Sequence, residues 1–303
     1  MTKAPSSDLL LTGGSGQVGT EIIRLAPAGL NIVAPGRAEL DLSDPDAIAA
    51  LVASRPWAAV INSAAYTAVD RAESDIVAAW KANAMGPAAL AQATAQAGIP
   101  LIQVSTDYVF DGSKDGFYVE ADPVAPLGVY GASKEAGEQA VRTGNPRHVI
   151  LRTAWVVSPH GSNFIKTMLR LAETRPELRV VDDQRGCPTS ATDIAQTVLD
   201  IAQRMIASSE APAGTYHFVN DGEASWCELA RAVFETAARH GHAAPKVEAI
   251  GTADYPTPAR RPANSRLDVT KLRRDYAIAP RPWRTAIDEI VDTLLAATQE
   301  QGS

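Results

Sequence analysis

Three side chains in the 303-residue sequence combine into a unit that could move a proton: Thr106, Tyr130 and Lys134. Tyr130 and Lys134 stand four apart in Tyr130-Gly-Ala-Ser-Lys134, a spacing that sets both on one face of a helix. A phenol with a pKa of about 10 is a poor acid or base at neutral pH. An ammonium beside it favours the phenolate and lowers that pKa, so the pair is expected to act together. Thr106 ends the run that begins Leu101-Ile102-Gln103-Val104, and its hydroxyl can be aimed at the same place. Such a set suits delivery of a proton to a carbonyl oxygen while a hydride reaches its carbon. Tyr-x-x-x-Lys pairs also lie solvated on helix surfaces, so the reading needs a cofactor site.

The N-terminus offers one. Leu9-Leu10-Leu11-Thr12 reads as a short buried strand, followed by Gly13-Gly14-Ser15-Gly16-Gln17-Val18-Gly19 and the helical run Glu21–Leu25. Glycine permits the tight turn, lets a pyrophosphate approach the backbone and allows close helix–strand packing. The free N–H groups of the helix N-terminus then meet the phosphates. A second strand, Leu30 to Ala34, leads to Pro35-Gly36-Arg37 where a ribose-binding carboxylate is usually sought. Arg37 is either a 2′-phosphate ligand or a solvated surface arginine. Asp41, followed by Leu42, is the first acid that could take the ribose instead, so both NADPH and NADH stay open.

The elements that must hold these residues alternate between strand and helix patterns in the first half, which predicts a parallel sheet covered on both faces. Asp44-Pro45 is a helix start, with aspartate as N-cap and proline at the first helical position. A third strand over 58–62 delivers Ser63 to Thr67, where small residues let a cofactor lie close to the backbone. Residues 70–97 read as helix interrupted near Gly86-Pro87, with Asn83 inside. The fourth strand delivers Ser105, Thr106 and Asp107, and a fifth over 148–152 ends at Trp155. Helices are expected over 163–173, 193–206, 225–239 and 283–297, a strand over 215–219, and a row of proline-rich turns over 252–265. The fold class is therefore α/β: a Rossmann-type doubly wound parallel sheet with a smaller C-terminal α/β substrate lobe. Residues 1–156 form the dinucleotide-binding domain, completed by about 190–220, and 157–189 with 221–303 form the substrate lobe.

A net charge of −7, with no basic block to offset it, disfavours nucleic acid polymers as partners. Cys187 and Cys227 are too few for a disulfide framework and lack metal-ligand spacing. The polar stretch 1–8 does not read as a signal peptide, and no apolar run approaches the roughly 20 residues of a membrane span. A cytoplasmic home is the simplest expectation.

The sequence resembles the extended short-chain dehydrogenase/reductases through Gly-x-x-Gly-x-x-Gly, the downstream threonine and Tyr-x-x-x-Lys. Within them it is most similar to the dTDP-4-dehydrorhamnose reductases, in TGGSGQVG, INSAAYTAVDRAE, STDYVFDG, PLGVYGASKEAGE, LRTAWVV, NFIKTMLRLA, DDQRGCPT and YPTPARRPANSRLD. The resemblance implies reduction of the C4 ketone of a 6-deoxy-4-keto sugar nucleotide by NADPH or NADH. It implies Thr106, Tyr130 and Lys134 as catalytic residues. The implied cofactor set is Gly13, Gly16, Gln17, Val18, Gly19, Arg37, Asp41, Leu42, Ala65, Tyr66, Thr67, Tyr130 and Lys134. For the sugar nucleotide it implies Thr106, Asp107, Trp155, Asn163, Lys166, Arg260 and Asn264, although Trp155 reads equally as core packing. Asn83 is implied to be a polar anchor near the site, against the plain reading of an exposed asparagine. Relatives with a magnesium-bridged dimer use glutamates in the C-terminal helix. Only Glu289 stands out there, so no metal set is assigned, and Mg2+ and the choice between monomer and homodimer stay open. An alternative is a non-catalytic NADP-binding subunit resembling the β subunit of methionine adenosyltransferase. An epimerase or dehydratase is a third reading, weakened by Tyr108 where a dehydratase carries a second acid.

Overall fold

The computed structural model describes residues 7–301, with side chains described through 297; the first six residues of the polar 1–8 stretch lie outside the described residues. Five strands alternate with helices in the first half: β1 (Asp8–Thr12), β2 (Asn31–Val33), β3 (Ala59–Asn62), β4 (Leu101–Thr106) and β5 (His148–Thr153). They form one parallel sheet with a sixth strand, Gly214–His217, in the order Gly214–His217, β5, β4, β3, β1, β2. Side chains alternate between the faces of such strands. Leu9, Leu11, Ile61, Ile102, Val149 and Leu151 accordingly pack with Ile22 and Val198 on one side. Leu10, Val60, Leu101 and Ile150 pack with Ile48, Leu90 and Val141 on the other. Burial on both faces explains why these strands read as continuous apolar runs rather than alternating ones.

The chain reverses its direction of winding between β1 and β3, since β2 lies beyond β1 while β4 and β5 lie beyond β3. Ligands of open α/β sheets sit in the crevice outside the strand ends at such a point. Helix Pro45–Ala53 starts as its sequence predicts: the Asp44 carboxylate accepts from the peptide nitrogens of Asp46 and Ala47 at 3.0 and 3.1 Å.

The stretch expected to be one helix broken near Gly86-Pro87 is built differently. It comprises short helices Val69–Ala72 and Ile76–Trp80, a π-helical turn Lys81–Met85, and helix Gly86–Ala97. Pro87 falls in the first turn of the last, where its missing N–H costs little. The irregularity therefore precedes the proline and centres on the turn that carries Asn83. Single π turns often mark functional sites.

Beyond β5 a third apolar cluster gathers helices Phe164–Ala172, Trp226–Arg239 and Trp283–Gln301. Ser225 and Glu228 form the reciprocal capping box anticipated for the second of these, at 2.7 and 3.0 Å. The proline-rich segment is more ordered than a row of turns. It contains a 3₁₀ turn, Thr252–Asp254, and the strand Asn264–Ser265, which pairs in parallel with Arg185–Gly186.

Candidate active site

Gly13 has φ of +79°, and a Cβ there would lie 2.6 Å from the Ala64 nitrogen at the end of β3. The turn after β1 and the chain leaving β3 thus meet backbone to backbone at the crevice. Helix Gln17–Arg24 opens from it with no side-chain cap and no acid in its first turn. Its first N–H groups are thereby left for an anion. Val18 is buried in the core, so it can serve a cofactor only through its backbone. The Gln17 side-chain Oε1 accepts from Ser158 Oγ at 2.8 Å and Asn163 Nδ2 at 2.9 Å, tying this helix to the start of helix Phe164–Ala172.

Arg37 is exposed, four residues beyond the end of β2. Asp41 is held below the usual carboxylate range, first by hydrogen bonding to Ser43, whose N–H donates at 2.9 Å, and less by the Arg37 charge. An acid overlooked in the sequence, Glu39, accepts from the Gly36 peptide nitrogen at 2.7 Å. Leu42 packs against the core, and its carbonyl would meet a Cβ at Gly86 at 2.9 Å.

Asn83 is buried. Its Oδ1 accepts from Tyr66 N at 2.7 Å, while Nδ2 donates to Tyr66 O at 3.1 Å and Ser133 Oγ at 3.0 Å. One amide thereby locks the Ala65–Thr67 turn to the helix Val129–Gly144, which carries Tyr130 and Lys134. Tyr66 is half-buried and Thr67 exposed. The same helix is capped in trans: Glu73 Oε1 accepts from Val129 N at 2.8 Å. Nothing local in the sequence signals that contact, which spans 56 residues.

Thr106, Asp107 and Tyr130 converge where β4 ends. Thr106 donates to Asp107 Oδ1 at 3.0 Å and accepts from the Tyr108 peptide nitrogen at 3.2 Å, with the Tyr130 phenol beside it. The Tyr130 ring meets Tyr108 edge-on, with centroids 5.5 Å apart. Burial, more than any other influence, drives the Tyr130 pKa upward; the Thr106 hydrogen bond offsets part of this and Asp107 adds to it. This corrects the expectation that Lys134 lowers it. The Lys134 ammonium instead donates to the Val104 carbonyl at 2.8 Å, and burial pulls its own pKa down to about 8. In this state Tyr130 is a firmly protonated phenol.

Burial raises the Asp107 pKa to about 6, against opposing hydrogen bonds from Ser265 and Thr106. A carboxyl whose folded pKa is raised stabilises the protein below its unfolded pKa, and that contribution is lost as pH climbs through about 6. Asp107→Asn should therefore gain stability relative to the parent as pH rises, by roughly 2–3 kcal/mol at pH 8. Melting curves at pH 5 and pH 8 check this; an equal difference at both would refute it.

The RmlD substrate binding domain family model matches residues 7–296. The chain belongs to the dTDP-4-dehydrorhamnose reductase family. It is 46% identical to the dTDP-4-dehydrorhamnose reductase of Sinorhizobium fredii, over 95% of this chain and 97% of that one. A Clostridium acetobutylicum dTDP-4-dehydrorhamnose reductase structure superimposes with TM-score 0.89 at 36% identity, covering 95% of this chain and 99% of that one. A Bacillus anthracis dTDP-4-dehydrorhamnose reductase in complex with NADP gives 0.87 at 33% identity, covering 94% and 99%.

Against that family, the sugar-nucleotide candidates fall into two groups. Thr106 and Asp107 lie beside Tyr130, as described. Trp155, at φ +48° and 9% exposed, stacks on Trp226 with centroids 3.6 Å apart, so most of its surface is core packing. Asn163 caps helix Phe164–Ala172 as well as binding Gln17. Lys166 Nζ donates to Pro159 O at 3.2 Å, and Asn264 Nδ2 donates to Lys114 O and Gly116 O, both at 2.7 Å. These three polar groups are engaged with backbone here. Arg260 is exposed, whereas its neighbour Arg261 pairs with Asp70 at 2.9 Å, close enough to Tyr108 for its charge to act on that phenol. Sequence reading missed Tyr108 and Arg261; the ARRP match was the available signal.

Among the described residues no group of three or more His, Cys, Asp or Glu side chains is placed to hold a metal, and Glu289 pairs with Arg281 at 2.6 Å. Among the described residues no helix is long and apolar enough to cross a membrane.

Proposed function

We infer that this chain reduces the C4 ketone of dTDP-4-dehydro-β-L-rhamnose to give dTDP-L-rhamnose, with NADPH or NADH as reductant. The observation that carries the chemistry is the Tyr130 phenol, kept protonated by burial beside Thr106 at the end of β4. The glycine turn at Gly13 and the uncapped helix Gln17–Arg24 fit a dinucleotide pyrophosphate. When bound, NAD(P)H supplies the hydride.

The protein's own groups do the rest. Tyr130, kept protonated by burial, gives its proton to the ketone oxygen. Thr106, whose single hydroxyl proton goes to Asp107 in the free protein, turns that proton to the ketone oxygen when substrate binds. Lys134, cationic below about pH 8, takes the nicotinamide ribose. Trp155, Asn163, Lys166, Arg260 and Asn264 border the sugar nucleotide, those now engaged with backbone exchanging partners on binding. No observation favours the non-catalytic alternative. We assign the protein to the cytoplasm, where two buried free thiols are at home, as a monomer or homodimer acting on a small sugar nucleotide. Oxidation of NADPH that depends on the 4-keto sugar nucleotide tests the function; no turnover with it would overturn the reading.

Arg37 sets the cofactor preference. No acid at Pro35 repels a 2′-phosphate, and a charge-assisted bond from guanidinium to phosphate supports NADPH over NADH by about tenfold at low salt. Arg37→Ala should weaken NADPH by that factor and leave NADH nearly untouched. Paired titrations decide it, and equal NADPH affinity in both proteins would make Arg37 a surface residue.

A further inference from the structure

Residues 158–163, between the strand Val156–Val157 and helix Phe164–Ala172, form no regular structure and are held by side-chain hydrogen bonds. One set of these bonds runs to the helix that opens from the glycine turn. Ser158 Oγ, fully buried, and Asn163 Nδ2 donate to Gln17 Oε1 at 2.8 and 2.9 Å. One turn along the same face, Glu21 Oε1 meets His160 Nε2 at 2.7 Å. A carboxylate only accepts, so this ring nitrogen carries the proton. Glu21 is 2% exposed, and burial works against its charge. Hydrogen bonds from Arg24, His160 and Thr192 together still hold its pKa below the ordinary carboxylate value.

A second set runs to residues assigned above to the sugar nucleotide. Asn163 Nδ2 also donates to Ser158 O at 2.7 Å, while its Oδ1 accepts from the Lys166 peptide nitrogen at 3.2 Å. The Lys166 ammonium donates to Pro159 O at 3.2 Å. One short segment therefore grips the cofactor helix at two points and carries Asn163 and Lys166 on its other side. With no backbone ladder of its own, the segment is only as fixed as the partners it holds. A dinucleotide seated at the N-terminus of helix Gln17–Arg24 restrains Gln17 and Glu21, and through them Ser158, His160 and Asn163. The sugar nucleotide then meets side chains already placed and loses less conformational freedom on binding.

We propose that Ser158 and His160 are positioning residues that couple the two ligands: by holding Gln17 and Glu21 they make the sugar nucleotide bind more tightly once the dinucleotide is in place. The proposal rests on the function and the ligand sets given above, to which neither residue belongs.

Calorimetric titration with NADPH and dTDP-L-rhamnose tests it, since reduced cofactor and reduced sugar together allow no turnover. The sugar nucleotide should bind about tenfold more tightly to the NADPH-saturated protein than to the free one, and NADPH should gain the same factor from the sugar nucleotide. Hydrogen exchange over residues 158–166 should slow on addition of NADPH alone. Ser158→Ala leaves Asn163 on Gln17, and His160→Leu leaves Glu21 with Arg24 and Thr192, so both should fold. Each should bind NADPH alone with about the parent affinity, yet lose most of the coupling. His160→Gln, which keeps an N–H for Glu21, should retain it. Independent binding of the two ligands in the parent would overturn the proposal. So would loss of the fold in both variants, which would make the segment a structural staple. A folded variant with the parent factor removes its residue from the proposal, as does His160→Gln for His160 if it behaves like His160→Leu. Failure of dTDP-L-rhamnose to bind even with NADPH present would overturn the function reading and the proposal with it, an outcome distinct from binding without coupling.

Discussion

Tyr130→Phe loses turnover by about 10²–10⁴-fold while keeping its fold and its affinity for the cofactor. The phenol is the group that releases a proton, and the ring that carries it survives the change. The Phe ring keeps its edge contact with Tyr108, and Thr106 keeps Asp107 at 3.0 Å and the Tyr108 peptide nitrogen at 3.2 Å. Little stability is therefore lost. Because burial holds the Tyr130 phenol protonated, the parent profile should not bend through ionisation of this residue near neutrality. Its bends should lie near pH 6, from Asp107, and near pH 8, from Lys134. Near-normal kcat in Tyr130→Phe, with NADPH oxidation followed at saturating sugar nucleotide, would remove Tyr130 as proton donor.

The sheet was legible because its inner strands are buried on both faces and bounded by turn residues. Leu9-Leu10-Leu11 and Val149-Ile150-Leu151 are runs that only an interior strand tolerates. The capping box at Ser225 and the N-cap at Asp44 are local codes and appear as read. What escaped was long-range. The π turn at Lys81–Met85 depends on Asn83 reaching both Tyr66 and Ser133, contacts set by the assembled sheet. Spacing alone suggested that Lys134 tunes Tyr130; i,i+4 geometry places two side chains on one face and says nothing of a carbonyl that captures one of them. The sugar-nucleotide set was legible only through motif resemblance, and several of its polar members turn out to hold backbone. Short polar side chains serve turns and ligands by the same hydrogen bonds, so composition does not separate the two uses.

Gly19→Ala abolishes tight cofactor binding and destabilises the protein. A Cβ at this position would lie 2.1 Å from the Gly13 carbonyl oxygen and 2.7 Å from the Gly14 Cα. Both are backbone atoms, so no rotamer change relieves the overlap. Either helix Gln17–Arg24 moves away from β1, or the glycine turn opens. The first loosens Val18 and Ile22 from the core beneath, at a cost of about 1–3 kcal/mol, the range for overpacked cores. The second lifts Gly13 from Ala64 and spoils the surface that meets the pyrophosphate. Each response also disturbs Gln17, and with it the hydrogen bonds from Ser158 and Asn163 that tie this helix to the start of helix Phe164–Ala172. The expected result is a lowered melting temperature together with NADPH affinity reduced by 100-fold or more, since about 2.8 kcal/mol corresponds to that factor. Gly16→Ala is the internal control: its Cβ would approach the same carbonyl at only 3.3 Å, close enough to need a small shift and no rearrangement. Calorimetric titration of both variants with NADPH separates the cases. Equal losses in the two would show that the close contact at Gly19 is not what shapes the turn.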